Sequence, residues 1–337
     1  MGYKLISVVL ATYNGEKYIL PQIKSIAEQD EDIQEVIICD DGSSDDTVSI
    51  IKTFIREHEL DDKWKLIENA FNLGYTKNFI RGMMSANGDV IVLCDQDDIW
   101  EKNRICSIKK IFEENSDALC ITCLQRFIDE NDNKHIPLIG GENILTVCKI
   151  LRNTMFSDIE KIGLARQVRE NRSTGMTMAI KKSIVTACVP YIYKYNLTHD
   201  LILGLYAAVY GGHYRINKAL VNRRIHKNNT SMPMNGLNDR VRGFKRHIGG
   251  RYGRLKLLYA IREVLNNTNQ CEYVNKIDRT INDMRVSLYA LYNENICLLF
   301  KQLFTRNTMI NYKISVANLV IVLIRKGMKC CERFGRQ

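Results

Sequence analysis

From Ile6 to Ala11 the chain reads ISVVLA, and from Val90 to Cys94 it reads VIVLC. Runs so nearly continuous in apolar, β-branched residues suit strands buried on both faces, as in a parallel sheet covered by helices. Working outward, further runs stand at Glu35–Cys39, Lys65–Glu68 and Leu119–Cys123, with a first strand predicted over Ile6–Leu10. Between them lie amphipathic stretches at Glu16–Gln29, Asp45–His58, Thr76–Ala86 and Lys102–Glu114. Spacers of that length allow right-handed crossovers, so this part reads as a βαβ array, an α/β fold. Ser43, Ser44 and Asp45 offer caps to the second helix, and Asn87-Gly88 offers a stop for the third.

Past residue 125 the alternation loosens. Asp129–Lys134 (DENDNK) reads as a hairpin turn, Gly140-Gly141 as a loop and Thr177–Ile180 as a strand. Leu201–Tyr210 reads as a helix, and Tyr214–Asn217 and Leu220–Arg224 as two short strands. From Asp239 the text turns helical and basic. Three segments result: 1–125, the βαβ half; 126–235, a second half of the same domain; and 236–337, a basic helical extension. A chain of 337 residues, 45% apolar and 26% charged, can bury a core of this size.

The net charge of +10 is unevenly placed: residues 1–217 carry 25 Lys/Arg against 31 Asp/Glu, and residues 218–337 carry 23 against 7. An acidic half with a basic tail argues against a nucleic-acid enzyme and turns the tail toward an anionic membrane surface or a phosphate-bearing substrate. Eleven scattered cysteines, and an N-terminus (MGYKLISVVLA) without a signal-peptide layout, set the expectation of free thiols in the cytoplasm. Cys120 and Cys123 form a single CxxC inside an apolar strand, which reads as core and lacks the second half of a zinc site. The longest apolar run, Ser315–Ile324, is about half of what a bilayer span needs.

In an open parallel sheet, ligands bind beyond the carboxyl ends of the strands. Those positions are acidic here: Thr12-Tyr13-Asn14-Gly15-Glu16 after the first run, Asp40-Asp41-Gly42-Ser43-Ser44-Asp45 after the second, and Asp95-Gln96-Asp97-Asp98 after the fourth. Asp and Gly also build ordinary turns. Acidic clusters meeting at one edge repel unless a cation sits among them, and hard, oxygen-seeking Mg²⁺ or Mn²⁺, its shell completed by phosphate oxygens, suits them. A diphosphate ligand follows. Neither GxxxxGK[ST] nor GxGxxG occurs, so P-loop and dinucleotide sites find no support.

The runs VVLATYNGEKYI (8–19), IICDDGSSDDT (37–47) and NLGYTKNFIRGMMSANGDVIVLCDQDDIW (72–100) resemble the nucleotide-sugar-binding half of family 2 glycosyltransferases, especially the bacterial rhamnosyltransferase-like members that build surface polysaccharides. The resemblance implies a Rossmann-like GT-A fold in which Asp41, with Asp40, reads base and ribose. Thr12 and Tyr13 line the nucleotide pocket, and Asp95-Gln96-Asp97 stands at the DxD position with Asp97 as metal ligand. Asn14, Glu16, Asn72, Gly74 and Asn78 belong to the same nucleotide-side loops, and turn formation is the other reading of the last three. The resemblance continues over THDLILGLYAAVYGGHYRINKALVNRRIHKNN (198–229), where Asp200 stands at the position of the catalytic base. Leu201 replaces an aromatic found in many relatives. Arg224-Ile225-His226-Lys227-Asn228-Asn229 matches an Arg-x-His-x-x-Asn segment in which Arg224 or His226 meets the diphosphate, His226 also as a metal ligand. Asp98, Trp100, Gly175, Met176 and His199 fall on the acceptor or diphosphate side. Asp200 is also placed to cap its helix, and His226 to be a structural histidine.

By that resemblance the chain is an inverting, metal-dependent transferase moving a sugar from a nucleotide-diphosphate donor to a glycan or lipid-linked acceptor. Its expected place is the cytoplasmic face of the cell membrane, where Lys313–Lys329, an apolar core bracketed by cations, suits an interfacial helix. Cys330-Cys331 beside it is a position for S-acylation. Two other readings compete. A sugar nucleotidyltransferase needs a basic triphosphate loop early in the chain, and the first 60 residues show no Gly-rich basic cluster. A non-catalytic membrane-associated scaffold leaves the carboxylates without a task.

Overall fold

The computed structural model describes residues 5–134, 158–170, 174–227, 229, 244–267, 271–302, 318–319, 321–324 and 326. Gly140-Gly141, Asn228, most of Lys313–Lys329 and Cys330-Cys331 lie outside them. The apolar runs become β1 (Ile6–Thr12), β2 (Glu35–Asp40), β3 (Trp64–Glu68) and β4 (Val90–Asp95). The amphipathic stretches become α1 (Ile19–Ala27), α2 (Thr47–Glu57), α3 (Tyr75–Ser85) and α4 (Arg104–Glu114), with a two-residue β5 (Ile99–Trp100) before the last. The four strands pair in parallel in the order β3-β2-β1-β4, Val8 standing opposite both Val36 and Val92. These three valines are buried on one face and their neighbours Val9, Ile37 and Leu93 on the other, so both faces of the sheet are covered, as uninterrupted apolar runs require. Ile19, Ile23 and Ile26 form the buried stripe of α1, whose first turn tolerates Pro21 because the missing N–H has no partner there.

Beyond β4 the sheet departs from the parallel array. The fifth run, β6 (Cys120–Ile128), does not join β4: β8 (Met178–Lys181) lies between them, antiparallel to both. A short apolar run carries neither direction nor neighbour, which is why the insertion was not legible. The two strands expected after residue 213 are one strand, β9 (His213–Arg224), parallel to β6 with register shifts opposite Cys123, Leu124 and Gln125. Both β5 and β7 (Ile159–Lys161) add antiparallel to β9, giving the path β3-β2-β1-β4-β8-β6-β9-β5. The helices α5 (Leu164–Glu170), α6 (Lys182–Tyr195) and α7 (His199–Val209) complete this unit. The hairpin turn is as read: Asp129 N donates to Asn133 O at 2.9 Å and Ile128 bridges to Lys134.

Both cap assignments need correction: Asp46, not Ser43, Ser44 or Asp45, takes the N-cap position of α2, with no side-chain cap bond. Asn87 and Gly88 lie past the end of α3, where Asn87 N and Nδ2 both donate to Glu35 at 2.8 Å. Gly88 is required by close approach: a Cβ there would stand 2.7 Å from Leu5 O and from Ser7 Oγ.

The described residues divide into two compact units, one holding those up to Asn229 and the other those from Phe244 onward. In the second unit α8 (Phe244–Asn266) packs on α9 (Cys271–Tyr292), followed by α10 (Ile296–Gln302). Ala290, Leu291, Leu299, Ile321 and Val322 form a small core there. No helix among the described residues is long and apolar enough to cross a membrane.

Candidate active site

The loops after β1, β2 and β4 are joined by side chains quoted above. Gln96 brackets the backbone of Tyr13, accepting from its N–H (2.8 Å) and donating to its carbonyl (3.0 Å). Asn14, at φ +46°, donates from its N–H to Ser43 Oγ (2.9 Å) and accepts from Ser44 N (2.8 Å), while Glu16 N donates to Asp45 (3.1 Å). Adjacent aspartates take different work. Asp40 accepts from Thr12 Oγ1, Gly42 N, Ser43 N and Ser43 Oγ, and so fixes its own loop. Asp41 accepts from Asn69 Nδ2 (2.8 Å), Leu73 N (2.8 Å) and Gly74 N (2.9 Å), which fixes the turn into α3. Gly74 sits at φ +85°, a region open to glycine alone at little cost, and its N–H is shared with Asn72 Oδ1. Asn78 is buried, donating to Cys39 O at 2.7 Å and accepting from Asn69.

After β4, oxygen atoms of Asp95, Asp97 and Asp98 lie within 4.8 Å of one another. Burial, reinforced by the negative charge of Asp97, pushes the Asp95 carboxyl up to about 7, with Arg223 working against the rise. Asp98, buried beside the same charges, is also raised. Its Oδ1 accepts from Arg224 N at 3.1 Å, and its buried Oδ2 has no hydrogen-bond partner among the described residues. An unneutralised oxygen among three clustered carboxylates is what a hard divalent cation would satisfy, so these residues fit one. His226 Nε2 lies 2.7 Å from Asp97 Oδ2, to which Asn229 Nδ2 also donates at 3.1 Å.

Asp200 stands in the first turn of α7, where its Oδ1 accepts from Thr198 Oγ1 (2.5 Å) and Leu201 N (2.8 Å). Its charge adds to the rise of the Asp95 carboxyl. Gly175 borders it: a Cβ there would lie 3.1 Å from His199 Nε2 and 4.0 Å from Asp200 Cβ.

Several residues take places that sequence alone did not assign. Arg224 is fully buried, donating to the carbonyls of Asp97 (3.0 Å) and Asp129 (3.1 Å) and pairing with Asp132, so it braces the loops from behind. Trp100 is buried in the core, and Met176 is buried with its carbonyl accepting from Arg104. Arg104 itself went unread. It is fully buried beneath the acidic cluster, its guanidinium 4.3 Å from the Trp100 ring centre, donating to Met176 O at 2.8 Å. The signal was available, since Arg104 falls on the stripe of α4 that buries Ile105, Ile108, Ile111 and Phe112. Cys120 and Cys123 are buried in β6, and burial pushes both thiols up, as core residues rather than metal ligands.

A parallel half-sheet of order β3-β2-β1-β4, an antiparallel β8 beyond it and an acidic rim at the β4 end together define a GT-A architecture. The sequence profile of glycosyl transferase family 2 matches residues 7–183, more than half of the chain, and the chain belongs to that family. It is 27% identical over 294 residues to an uncharacterized glycosyltransferase of Haemophilus influenzae, covering 86% of this chain and 85% of that one. Over 101 residues, 30% of this chain and 38% of the relative, it is 32% identical to the Escherichia coli UDP-Glc:alpha-D-GlcNAc-diphosphoundecaprenol beta-1,3-glucosyltransferase WfgD. Among solved structures, S. aureus TarS 1–349 in complex with UDP-GlcNAc shares the fold at a TM-score of 0.56 and 13% identity, covering 96% of this chain and 91% of that one.

Proposed function

We propose that this glycosyltransferase moves a sugar from a nucleotide-diphosphate donor to a hydroxyl of a glycan or lipid-linked saccharide, inverting the anomeric centre. The observation that carries the reading is the Asp95–Asp97–Asp98 cluster after β4 in a chain of glycosyl transferase family 2. These three carboxylates, with His226 at their edge, are the residues that would hold Mg²⁺ or Mn²⁺, which when bound neutralises charge on the departing diphosphate. Among the described residues the hydrogen bonds to Asp200 fall on Oδ1, which supports Oδ2 as the oxygen that takes the proton of the acceptor hydroxyl. Attack from the side opposite the leaving group inverts the centre. Thr12, Tyr13, Asn14 and Glu16 border the nucleotide with Gln96, and Asp41 acts on base and ribose through the turn it holds.

A lipid-linked acceptor is supported by the relative named for a diphosphoundecaprenol substrate, and the basic balance of residues 218–337 suits the anionic cytoplasmic face of a membrane. The test is thermal denaturation with nucleoside diphosphates and nucleotide sugars, with and without Mn²⁺, on the wild type and Asp97→Asn. Stabilisation by one nucleotide series that needs Mn²⁺ and disappears in the variant is expected. Metal-independent stabilisation identical in both proteins would remove the cluster from the site. Release of pyrophosphate in place of nucleoside diphosphate would decide for a sugar nucleotidyltransferase.

A further inference from the structure

Tyr75 opens α3 directly after Gly74, whose N–H donates to Asp41, and it is 48% exposed. Its ring lies edge-on to the imidazole of His199, 6.3 Å between centres at 65°, and Phe79, one turn further along α3, packs on the same imidazole at 4.4 Å. His199 is buried, and neither of its ring nitrogens has a hydrogen-bond partner among the described residues. Its place at the head of α7 is therefore set by ring packing, and Gly175 keeps the corner between it and Asp200 clear of a side chain. Burial first, then the charges of Asp200 and Asp95, hold the Tyr75 phenol above its usual range.

In a single displacement the anomeric carbon lies between the departing diphosphate and the incoming hydroxyl. A half-exposed ring that leaves the turn held by Asp41 and packs on the residue preceding Asp200 stands between the nucleotide side and the base, where the sugar passes. A tyrosine ring gives the C–H face of a pyranose a flat apolar surface at little entropic cost. We propose that Tyr75 is the platform on which the transferred sugar rests, held in orientation by His199. The proposal rests on the donor-site reading above and names a substrate-contacting side chain for it.

Isothermal titration of the full chain with UDP, GDP and dTDP, and with UDP-glucose, GDP-mannose and dTDP-glucose, each with Mn²⁺, tests it. For the nucleotide that the wild type binds, Tyr75→Ala is expected to lose roughly tenfold in affinity for the nucleotide sugar while holding the free nucleoside diphosphate within about twofold. Tyr75→Leu, which keeps bulk without an aromatic face, behaves like the alanine variant, and Tyr75→Phe stays within about threefold of the wild type. Equal losses for both ligands, no loss for either, or a phenylalanine variant as weak as alanine overturns the platform. A wild type that binds none of the six ligands overturns the donor site itself, a failure seen without any substitution.

Discussion

Replacing Asp41 by Asn separates a turn-holding role from a ligand-contacting one. Asp41 is 2% exposed, so its hydrogen bonds are barely screened. An asparagine that keeps its oxygen toward Asn69 Nδ2 and Leu73 N must turn its NH₂ toward the N–H of Gly74, donor against donor. The bond lost is one to a charged acceptor, worth about 1.5–3 kcal/mol. At roughly 2–4 °C per kcal/mol for a unit of this size, the variant should melt about 3–12 °C below the wild type. Both tryptophans, Trp64 in β3 and Trp100 in β5, are buried in the sheet unit, so intrinsic fluorescence reports the relevant transition. Nucleotide-sugar affinity should fall with stability, because Gly74 and Tyr75 lose their anchor together. A variant that melts within a degree of the wild type yet no longer binds nucleotide would refute the reasoning and make Asp41 a direct ligand contact.

Asp200→Asn, whose amide cannot accept the acceptor's proton, should lower the transfer rate by about 10²- to 10⁴-fold while donor affinity holds; unchanged turnover in a steady-state assay removes the base. Arg104→Met leaves Met176 O and Leu93 O without their donor and takes a buried positive charge from beside Asp98 and Asp95, so denaturant titration should show a loss of about 3–5 kcal/mol, and a near-neutral result would contradict the counter-charge role. Burial, then the charge of Arg215, holds His213 down to about 4. Between that value and about 6.5 the unfolded chain binds the extra proton, so stability declines as pH falls through this window, by about 3 kcal/mol in all. Unfolding of the wild type and His213→Gln at pH 7 and pH 4.5 checks it: the variant should lose less on acidification.

What could be read in the sequence was whatever repeats along the chain. Ile6, Val8 and Leu10 with Ser7 and Val9 between them declare a doubly buried strand by composition alone, and the acidic residues after such strands declare the rim. Partners across space are different. Nothing in MAIK (178–181) says that it will enter antiparallel between β4 and β6, because the ladder that fixes its direction is made with residues far along the chain. Nor does the text distinguish Asp40 from Asp41. The pleat sends neighbouring side chains to opposite faces, and only the surrounding donors, Ser43 for one and Asn69 with Gly74 for the other, make them a loop clasp and a turn anchor. Tyr75 was hidden for a related reason: an aromatic at a helix start reads as core unless its neighbours leave it half in solvent.

The same pleat explains how an edge crowded with carboxylates is held together. In β9 the register against β6 runs from Ile216 opposite Cys123 to Ala219 opposite Leu124 and Val221 opposite Gln125, so residues are inserted just before the strand reaches the rim. Bulges of this kind re-aim the side chains that follow them. Here the consecutive Arg223 and Arg224 leave the strand on opposite sides. Arg223 sets its charge against Asp95, and Arg224 turns inward, where its backbone holds Asp98 and its guanidinium ties the carbonyls of Asp97 and Asp129. Without the inserted residues the two would trade faces, since a slip of one residue inverts every side chain after it. The irregularity that makes β9 read as two strands in the sequence thus lies just before the residues that set Arg223 against Asp95 and Arg224 against the loops of Asp97 and Asp129.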